Sequence, residues 1–482
     1  MSNFDFDIAI LGGGAAGLTI AAGAAQFGAR TLLIEKEREL GGDCLHFGCV
    51  PSKTLIKTAR VYHLMKNAES FGLPRAEVRR VDYRDVTRRI RSVIAEIQEH
   101  DSEERFCRLG VKVEIGRAEF VDEHSVRLNG RIWSAKNWVI ATGSSPSVPQ
   151  IEGIENTPYV TNKEIFSLDS LPESMITIGA GPIAIEMAQA FNRLGTKVTV
   201  IQRSGQILSN EDRDMTVTIK EILISEGITF HLNSSPVGMR DLGGEKEVVI
   251  KDSEGNTRSL RAERILVATG RKANLDGLGL EGISVEFDNK GLKVDTRLRT
   301  NHRHIFAAGD VTGAYQFTHA AGYEGSIVLG NAILRIPRKV DFTNFPWCTY
   351  TDPELASIGM NEKMAAAAGI SYRVWTEAFR NNDRGVAEGE ESGKIKMLLD
   401  EKEKPIGVQI LGHRAGDLIS EWIAVMNGKV GLSTVASAVH PYPTLAEINK
   451  RVAGTFFSEK IFSEKVKKAL KFFFNLKGRA CG

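Results

Sequence analysis

The sequence predicts an α/β fold in which two copies of one strand–helix–strand unit precede a C-terminal stretch of different pattern. Three observations lead there. A chain of 482 residues is too long for a single hydrophobic core and is expected to divide into domains. The segments DIAILGGGAAGLTIAAGAAQFGARTLLIEK (residues 7–36) and MITIGAGPIAIEMAQAFNRLGTKVTVIQR (175–203) share a β-branched strand, a glycine turn, a helix and a second strand. From about Asp341 this pattern gives way to TYTDPELASIGM, with strands expected near Ile395 and Val408 and a helix over LISEWIAVMNG.

Composition sets the class of partner. With 42% hydrophobic and 25% charged residues and a net charge of +2, the chain is neither a disordered segment nor a nucleic-acid binder, so small molecules are the expected partners. The N-terminal MSNFDFD lacks the basic region of a secretory signal, and no stretch is long and apolar enough to span a bilayer. Five cysteines in so long a chain do not make a disulfide framework. The expectation is a reducing cytoplasm in which any disulfide is catalytic.

Within each repeat the turn reads GxGxxG/A: Gly12, Gly14 and Gly17, then Gly179, Gly181 and Ala184, with Ile183 beside the last. The first glycine makes the turn, the second lets backbone approach a pyrophosphate, and the third small residue lets helix pack on strand. Both units therefore read as Rossmann-like dinucleotide sites. The residue closing the second strand tells them apart. Glu35, followed by Lys36, offers a carboxylate to an adenosine ribose, whereas Gln202 and Arg203 offer a guanidinium that pairs with a 2′-phosphate. This ordering places FAD first and NADP(H) second, with NAD(H) as the alternative and a solvated surface charge as the plain reading of Arg203. Further on, VIATGSSP supplies Thr142 and Gly143, and ILVATGRKAN supplies Gly270 and Arg271, each after a strand. IFAAGDVTG brings Asp310, suited to a hydroxyl-rich ribityl chain or, more simply, to a helix N-cap.

Between the first repeat and a predicted helix lies GGDCLHFGCVPSK, which contains Gly42, Cys44, Cys49 and Lys53. Cα atoms five residues apart on an ideal helix lie roughly 8–9 Å apart, beyond the usual disulfide span of about 4.4–6.8 Å. The segment must be distorted if the two sulfurs meet, and Gly48 and Pro51 permit that. A helix N-terminus and a nearby lysine would lower a thiol pKa. Buried structural thiols and metal ligands are the alternatives. A structural metal site is disfavoured by the four-residue spacing and the lack of a second CxxC or HxxxH partner.

Taken in order, GGGAAG, GGDCLHFGCVPSK, ATG, GAGPIAIE, ATGRKAN, AAGDVTG and HPYPTLAE resemble the pyridine nucleotide-disulfide oxidoreductases of the glutathione reductase, lipoamide dehydrogenase and mercuric reductase group, over roughly residues 5 to 455. The resemblance implies an FAD-binding domain over 1–152 and 273–340, an NAD(P)-binding domain over 153–272, and a C-terminal α+β dimerisation domain over 341–455. A basic aromatic helix and tail over 456–482 lie beyond it. The resemblance also implies that Cys49 is the charge-transfer thiolate beside the flavin, that Cys44 meets the substrate, and that Lys53 sits near flavin N5 and pairs with Glu186. A helix-dipole role for Glu186 is compatible with that pairing. In a homodimer, HPYPTLAE would complete the partner's site. Its residues are His440, Tyr442 and Glu447, and here the chain departs from thiol-oxidising relatives, whose histidine stands five residues before the glutamate. Tyr442 holds that place, and with an ordinary pKa of about 10 it is a poor base at neutral pH.

Tyrosine at that place is similar to mercuric reductases. The vicinal cysteine pair of their C-terminus is replaced by a single Cys481, a transient metal relay or an unremarkable terminal thiol. Cys107 and Cys348 carry no partner signature. The leading expectation is NADPH reduction of Hg(II), another thiophilic metal or an unidentified disulfide, with Cys44, Cys49 and Cys481 as transient ligands of the substrate metal. An NAD-linked dihydrolipoamide dehydrogenase is the alternative, and a flavoprotein scaffold with incidental redox activity is the third reading. The extension TFFSEKIFSEKVKKALKFFFNLKG has helical apolar spacing interleaved with lysines, which fits dimer packing or weak contact with a membrane surface.

Overall fold

The computed structural model describes residues 4–477, which fall into two compact units: 4–205 with 226–340, and 206–225 with 341–477. Cys481 lies outside the described residues. Residues 206–225 sit with the C-terminal unit, and the rest of the expected nucleotide domain, 153–205 and 226–272, sits with the first.

The first unit holds two sheets with the same parallel four-strand order, the larger extended by the antiparallel strands Ser125–Leu128 and Glu119–Asp122. In the larger, the strands run in the order Val111–Ile115, Thr31–Glu35, Phe6–Leu11, Arg131–Ile140, and Ile305–Ala307 also pairs with Arg131–Ile140; all these pairings are parallel. In the smaller, the order is Thr229–His231, Lys197–Ile201, Ser174–Ile178, Arg264–Val267, again parallel throughout. The internal repeat of the sequence is thus a repeat of topology. The central strands Phe6–Leu11 and Ser174–Ile178 are almost wholly buried, which is why they read as unbroken apolar runs and not as alternating ones.

Each repeat's helix, Ala15–Gln26 or Pro182–Leu194, starts directly after the glycine turn. Gly17 has to be glycine: a Cβ there would stand 1.9 Å from the Gly12 carbonyl oxygen, where helix packs on turn. Across the other side of the first helix, Gly325 of the helix Thr318–Ala332 approaches within 3.1 Å of the Ala16 carbonyl by the same measure, so small residues allow the two helices to close on each other.

The C-terminal unit contains a five-stranded antiparallel sheet ordered Pro346–Thr349, Glu354–Gly359, Pro405–Gly412, Lys394–Leu399, Arg373–Ala378. Both expected strands and the expected helix, Ala415–Asn427, are present. Trp422, Ile448, Val452 and Phe456 close the core over the sheet. A second, polar core lies beneath. Lys396 is 1% exposed, and its ammonium stands 2.7 Å from Asp212, 2.6 Å from Asp214 and 2.8 Å from Glu362. Three carboxylates around one ammonium offset its desolvation and hold its pKa above the usual lysine value against the effect of burial.

The C-terminal extension departs from expectation. One helix, Glu447–Ile461, runs through the anticipated boundary at 455/456, and the extension is a second helix, Glu464–Phe474, set off by a break at Phe462–Ser463. Burial explains the division. Ile448, Val452, Ala453 and Phe456 enter the core, whereas the second helix has no buried residue.

Candidate active site

The dithiol segment is bent where the sequence requires it. Cys44 lies in the one-turn helix Gly42–His46, and Cys49 is the first residue of the long helix Cys49–Lys66. The two helices are separated by Phe47 and Gly48. A Cβ on Gly48 would sit 2.8 Å from the Asp43 carbonyl oxygen and 3.2 Å from the Cys44 Cα, so only glycine lets the chain fold back closely enough. As a result Cys44 and Cys49, neither of them in a disulfide, stand close enough for each thiol to shift the other's pKa. Pro51, in the first turn of the long helix, needs no backbone partner there.

The two sulfurs are electrostatically unequal. Cys49 is brought down to about 6, first by the hydrogen bond from the Cys44 thiol, then by the Thr318 hydroxyl at 3.3 Å and the positive charge of Lys53, all against the opposing effect of burial. The Cys44 thiol is pushed far up by donating to Cys49 and by burial. At neutral pH the pair therefore holds one proton on Cys44 and one negative charge on Cys49. Thr318, at the start of its helix and 269 residues from Cys49, escaped sequence reading because only the tertiary fold brings it there.

One turn along the same helix, the Lys53 ammonium meets Glu186 at 2.9 Å. The carboxylate is 5% exposed on the helix Pro182–Leu194, so the pair ties the dithiol helix to the second repeat. On the other side of the dithiol, Arg271 donates to Asp43 at 3.0 Å and to the Ser144 hydroxyl at 2.7 Å, and that hydroxyl donates to Asp310 at 2.5 Å. Arg271 was expected among nucleotide-binding residues. Its guanidinium bridges Asp43, next to Cys44, and Asp310, 3.6 Å from its Nε. The reason is local: Arg271–Ala273 pairs antiparallel with Ser144–Pro146, which turns the side chain towards these carboxylates. Asn162 completes the clamp by donating to the Phe47 carbonyl at 2.9 Å. Sequence reading also passed over Asp43, Ser144 and Asn162, since none carries a motif of its own.

The first glycine turn fits a dinucleotide. Gly14 and Gly42 face each other with their Cα atoms so close that a Cβ on Gly42 would stand 2.8 Å from Gly14, leaving a side-chain-free cradle at the start of the helix Ala15–Gln26. That helix has no side-chain cap and no acidic residue in its first turn, so its amides are left for a phosphate. The Glu35 carboxylate accepts from Gly13 N–H at 2.6 Å and from Glu37 N–H at 2.9 Å, which fixes it beneath the turn with further lone pairs to offer. Lys36 is near Glu37 at 3.9 Å. Thr142 donates to the Asn274 carbonyl at 2.7 Å, and the Gly143 carbonyl accepts from Asn274 N–H. Burial raises the Asp310 pKa, while Ser144 and Arg271 draw it back.

In the second turn Gly179 has a φ of 105°, close to the 110° of Gly12, and Gly181 caps the helix with open space where a Cβ would be. Ile183 is in the first turn, 38% exposed. Gln202 donates to the Ser204 hydroxyl at 2.9 Å, Arg203 is exposed, and Gly270 has open space around it. No acidic side chain closes this strand.

His440, Tyr442 and Glu447 belong to the C-terminal unit. The Tyr442 hydroxyl donates to Asp383 at 3.0 Å, which raises its pKa, and the ring is 71% exposed. His440 Nε2 lies 3.1 Å from Glu421, whose carboxylate also accepts from Asn449 at 2.8 Å. Glu447 opens its helix and accepts from Thr444 N–H at 3.4 Å. Cys107 is exposed and Cys348 half-buried, each a free thiol.

Comparison with known proteins agrees with this geometry. The family model of pyridine nucleotide-disulphide oxidoreductases matches residues 6–325, and that of the family's dimerisation domain matches 345–453. A mercuric reductase of Lysinibacillus sphaericus is 33% identical over 456 residues, covering 94% of this chain and 83% of that protein. A dihydrolipoyl dehydrogenase of Bacillus subtilis is also 33% identical, over 447 residues, covering 91% and 96%. Among solved structures, the Cu(II) complex of the HOCl-induced flavoprotein disulfide reductase RclA from Escherichia coli superposes with a TM-score of 0.84 at 26% identity, covering 94% of this chain and 99% of that one. The family's cofactors, FAD and a nicotinamide dinucleotide, match the two glycine turns. The chain belongs to the pyridine nucleotide-disulphide oxidoreductase family and is an FAD-dependent oxidoreductase carrying the family's dimerisation domain.

Proposed function

We propose that the chain uses NADPH to reduce a thiophilic acceptor, Hg(II) or a similar metal ion or an unidentified disulfide, through Cys44 and Cys49. The observation that carries this reading is the unequal dithiol: a thiolate on Cys49 and a protonated Cys44. FAD, held at the first glycine turn by Gly12, Gly14, Gly17, Glu35 and Asp310, would pass two electrons from the nicotinamide to the disulfide. What this chain's own residues then do is hold charge and protons. Lys53, fixed by Glu186, balances the negative charge that forms on Cys49, and Cys44 keeps the proton until an acceptor displaces it. When Hg(II) is that acceptor, Cys44 loses its proton, two electrons leave the dithiolate, the disulfide re-forms, and Hg(0) departs.

A metal acceptor is favoured over a dithiol by the C-terminal loop. Oxidising a dithiol substrate requires a base to remove its protons, and Tyr442, bonded to Asp383, is further from that role than a free tyrosine. Arg203 and the uncharged Gln202 support NADP(H) over NAD(H) at the second turn. The enzyme would act as a homodimer in the cytoplasm, with His440, Tyr442 and Glu447 facing the partner's dithiol.

One observation supports the second reading, an NAD-linked dihydrolipoamide dehydrogenase: the His440–Glu421 pair is built like a polarised base. Side-by-side rates decide between the two. NADPH oxidation with Hg(II) in the presence of excess small thiol is expected to exceed NAD reduction with dihydrolipoamide, and the reverse order would overturn the proposal. Cys44→Ala, with activity retained, would support incidental redox chemistry instead.

A further inference from the structure

The helix Glu464–Phe474 begins beyond the matched dimerisation domain, which ends at residue 453. At 100° per residue, Val466, Ala469, Leu470 and Phe473 share one face, Phe474 borders it, and Phe472 stands beside Lys465 towards the basic side. Lys465, Lys467, Lys468 and Lys471 occupy the opposite face and its shoulders. None of these apolar side chains is buried, and Phe472, Phe473 and Phe474 are 83%, 75% and 69% exposed. Phe462 at the preceding break and Leu476 after the helix extend the exposed apolar surface. Between residues 464 and 477 there are five lysines and one glutamate, a net charge of +4, and Lys467 is paired with that glutamate.

We propose that this helix docks the enzyme on an anionic lipid bilayer, lying in the plane of the interface. The apolar face with Phe473 and Phe474 enters the boundary between headgroups and acyl chains, Phe472 lies at the headgroup level beside it, and the lysines reach back along their aliphatic stems to lipid phosphates. Charge selects the lipid surface over a second copy of this chain. Two such helices packed face to face would bring eight positive charges together, whereas an anionic leaflet complements them. The helix is short and carries lysine along its length, so it lies on the membrane and does not cross it; no helix among the described residues is long and apolar enough to do so.

The test uses full-length, FAD-loaded protein in co-sedimentation with vesicles of phosphatidylcholine alone or with about one-third phosphatidylglycerol. Binding to the anionic vesicles is expected to exceed binding to neutral ones at least about tenfold and to fall as salt is raised. Two variants separate the contributions: Phe472→Ser with Phe473→Ser and Phe474→Ser, and Lys465→Gln with Lys467→Gln, Lys468→Gln and Lys471→Gln. Each is expected to abolish most of the binding while the particle mass in solution and NADPH oxidation stay unchanged. Equal binding to both vesicle types, or binding unaffected by both variants, would overturn the proposal. So would a drop in particle mass for the phenylalanine variant, because the face would then be an interface between copies.

Discussion

The two cysteines and Tyr442 of the C-terminal loop are contrasting examples of how a protein sets a pKa. At the dithiol, neighbours that donate to the charged form pull Cys49 down and leave Cys44 protonated, so the pair is ready for redox exchange at neutral pH. At the loop, a neighbouring carboxylate raises Tyr442 and so removes it from proton transfer. The first region is built to hold charge, whereas Tyr442 is held in its protonated form. That contrast is what favours an acceptor that needs electrons more than it needs a base.

The sharpest way to break the contrast is at the sulfurs. Cys49→Ala or Cys44→Ala is expected to lower turnover by at least about a thousandfold, because no other described thiol can take over the exchange; residual activity above about one-tenth of wild type would mean that the acceptor bypasses the dithiol. Lys53→Met takes the ammonium from beside the buried Glu186 and removes the charge that balances Cys49. It should cost about 10- to 100-fold in turnover and raise the Cys49 pKa, whereas Lys53→Arg should recover part of both. Tyr442→His is expected to raise NAD reduction with dihydrolipoamide by about tenfold or more and to change Hg(II)-dependent NADPH oxidation by less than about threefold. If it does neither, the loop does not decide the acceptor.

A stability prediction tests the C-terminal unit separately. Lys396→Met would take the buried cation from Asp212 and Glu362 and leave Asp214 with Lys394 alone, at a cost of about 3–5 kcal/mol in unfolding free energy. Denaturant melts should show it, while the pKa of Cys49 stays where it is. A loss below about 1 kcal/mol would mean that the carboxylates escape to solvent.

Much of the catalytic region was legible because it is local. The distorted spacing of Cys44 and Cys49 required a bend, and Gly48 supplies it. The two glycine turns announced two sheets, which share one parallel four-strand order. Three things were not legible, each for a physical reason. Thr318 reaches Cys49, and Arg271 reaches Asp43 beside Cys44, only through tertiary folding, the latter because its strand pairs with Ser144–Pro146. The Lys396 cluster gathers residues from 212 to 396 that follow no periodic pattern. The break at Phe462–Ser463 was within reach: Ser463 followed by Glu464 is a helix-start signal that the long run of apolar and basic residues obscured.

The central claim is the inequality of the two sulfurs, and a pH titration of thiolate ultraviolet absorbance in the dithiol enzyme tests it most directly. Cys49 is lowered in the fold, so its thiolate should persist above pH about 6 and be lost as pH falls through that value. A second ionisation, that of Cys44, should not appear until well above the ordinary thiol range of about 8.5. The first step should vanish in Cys49→Ser and move upward in Thr318→Val. Two ionisations both near 8.5, or a first step that survives Cys49→Ser, would contradict the account.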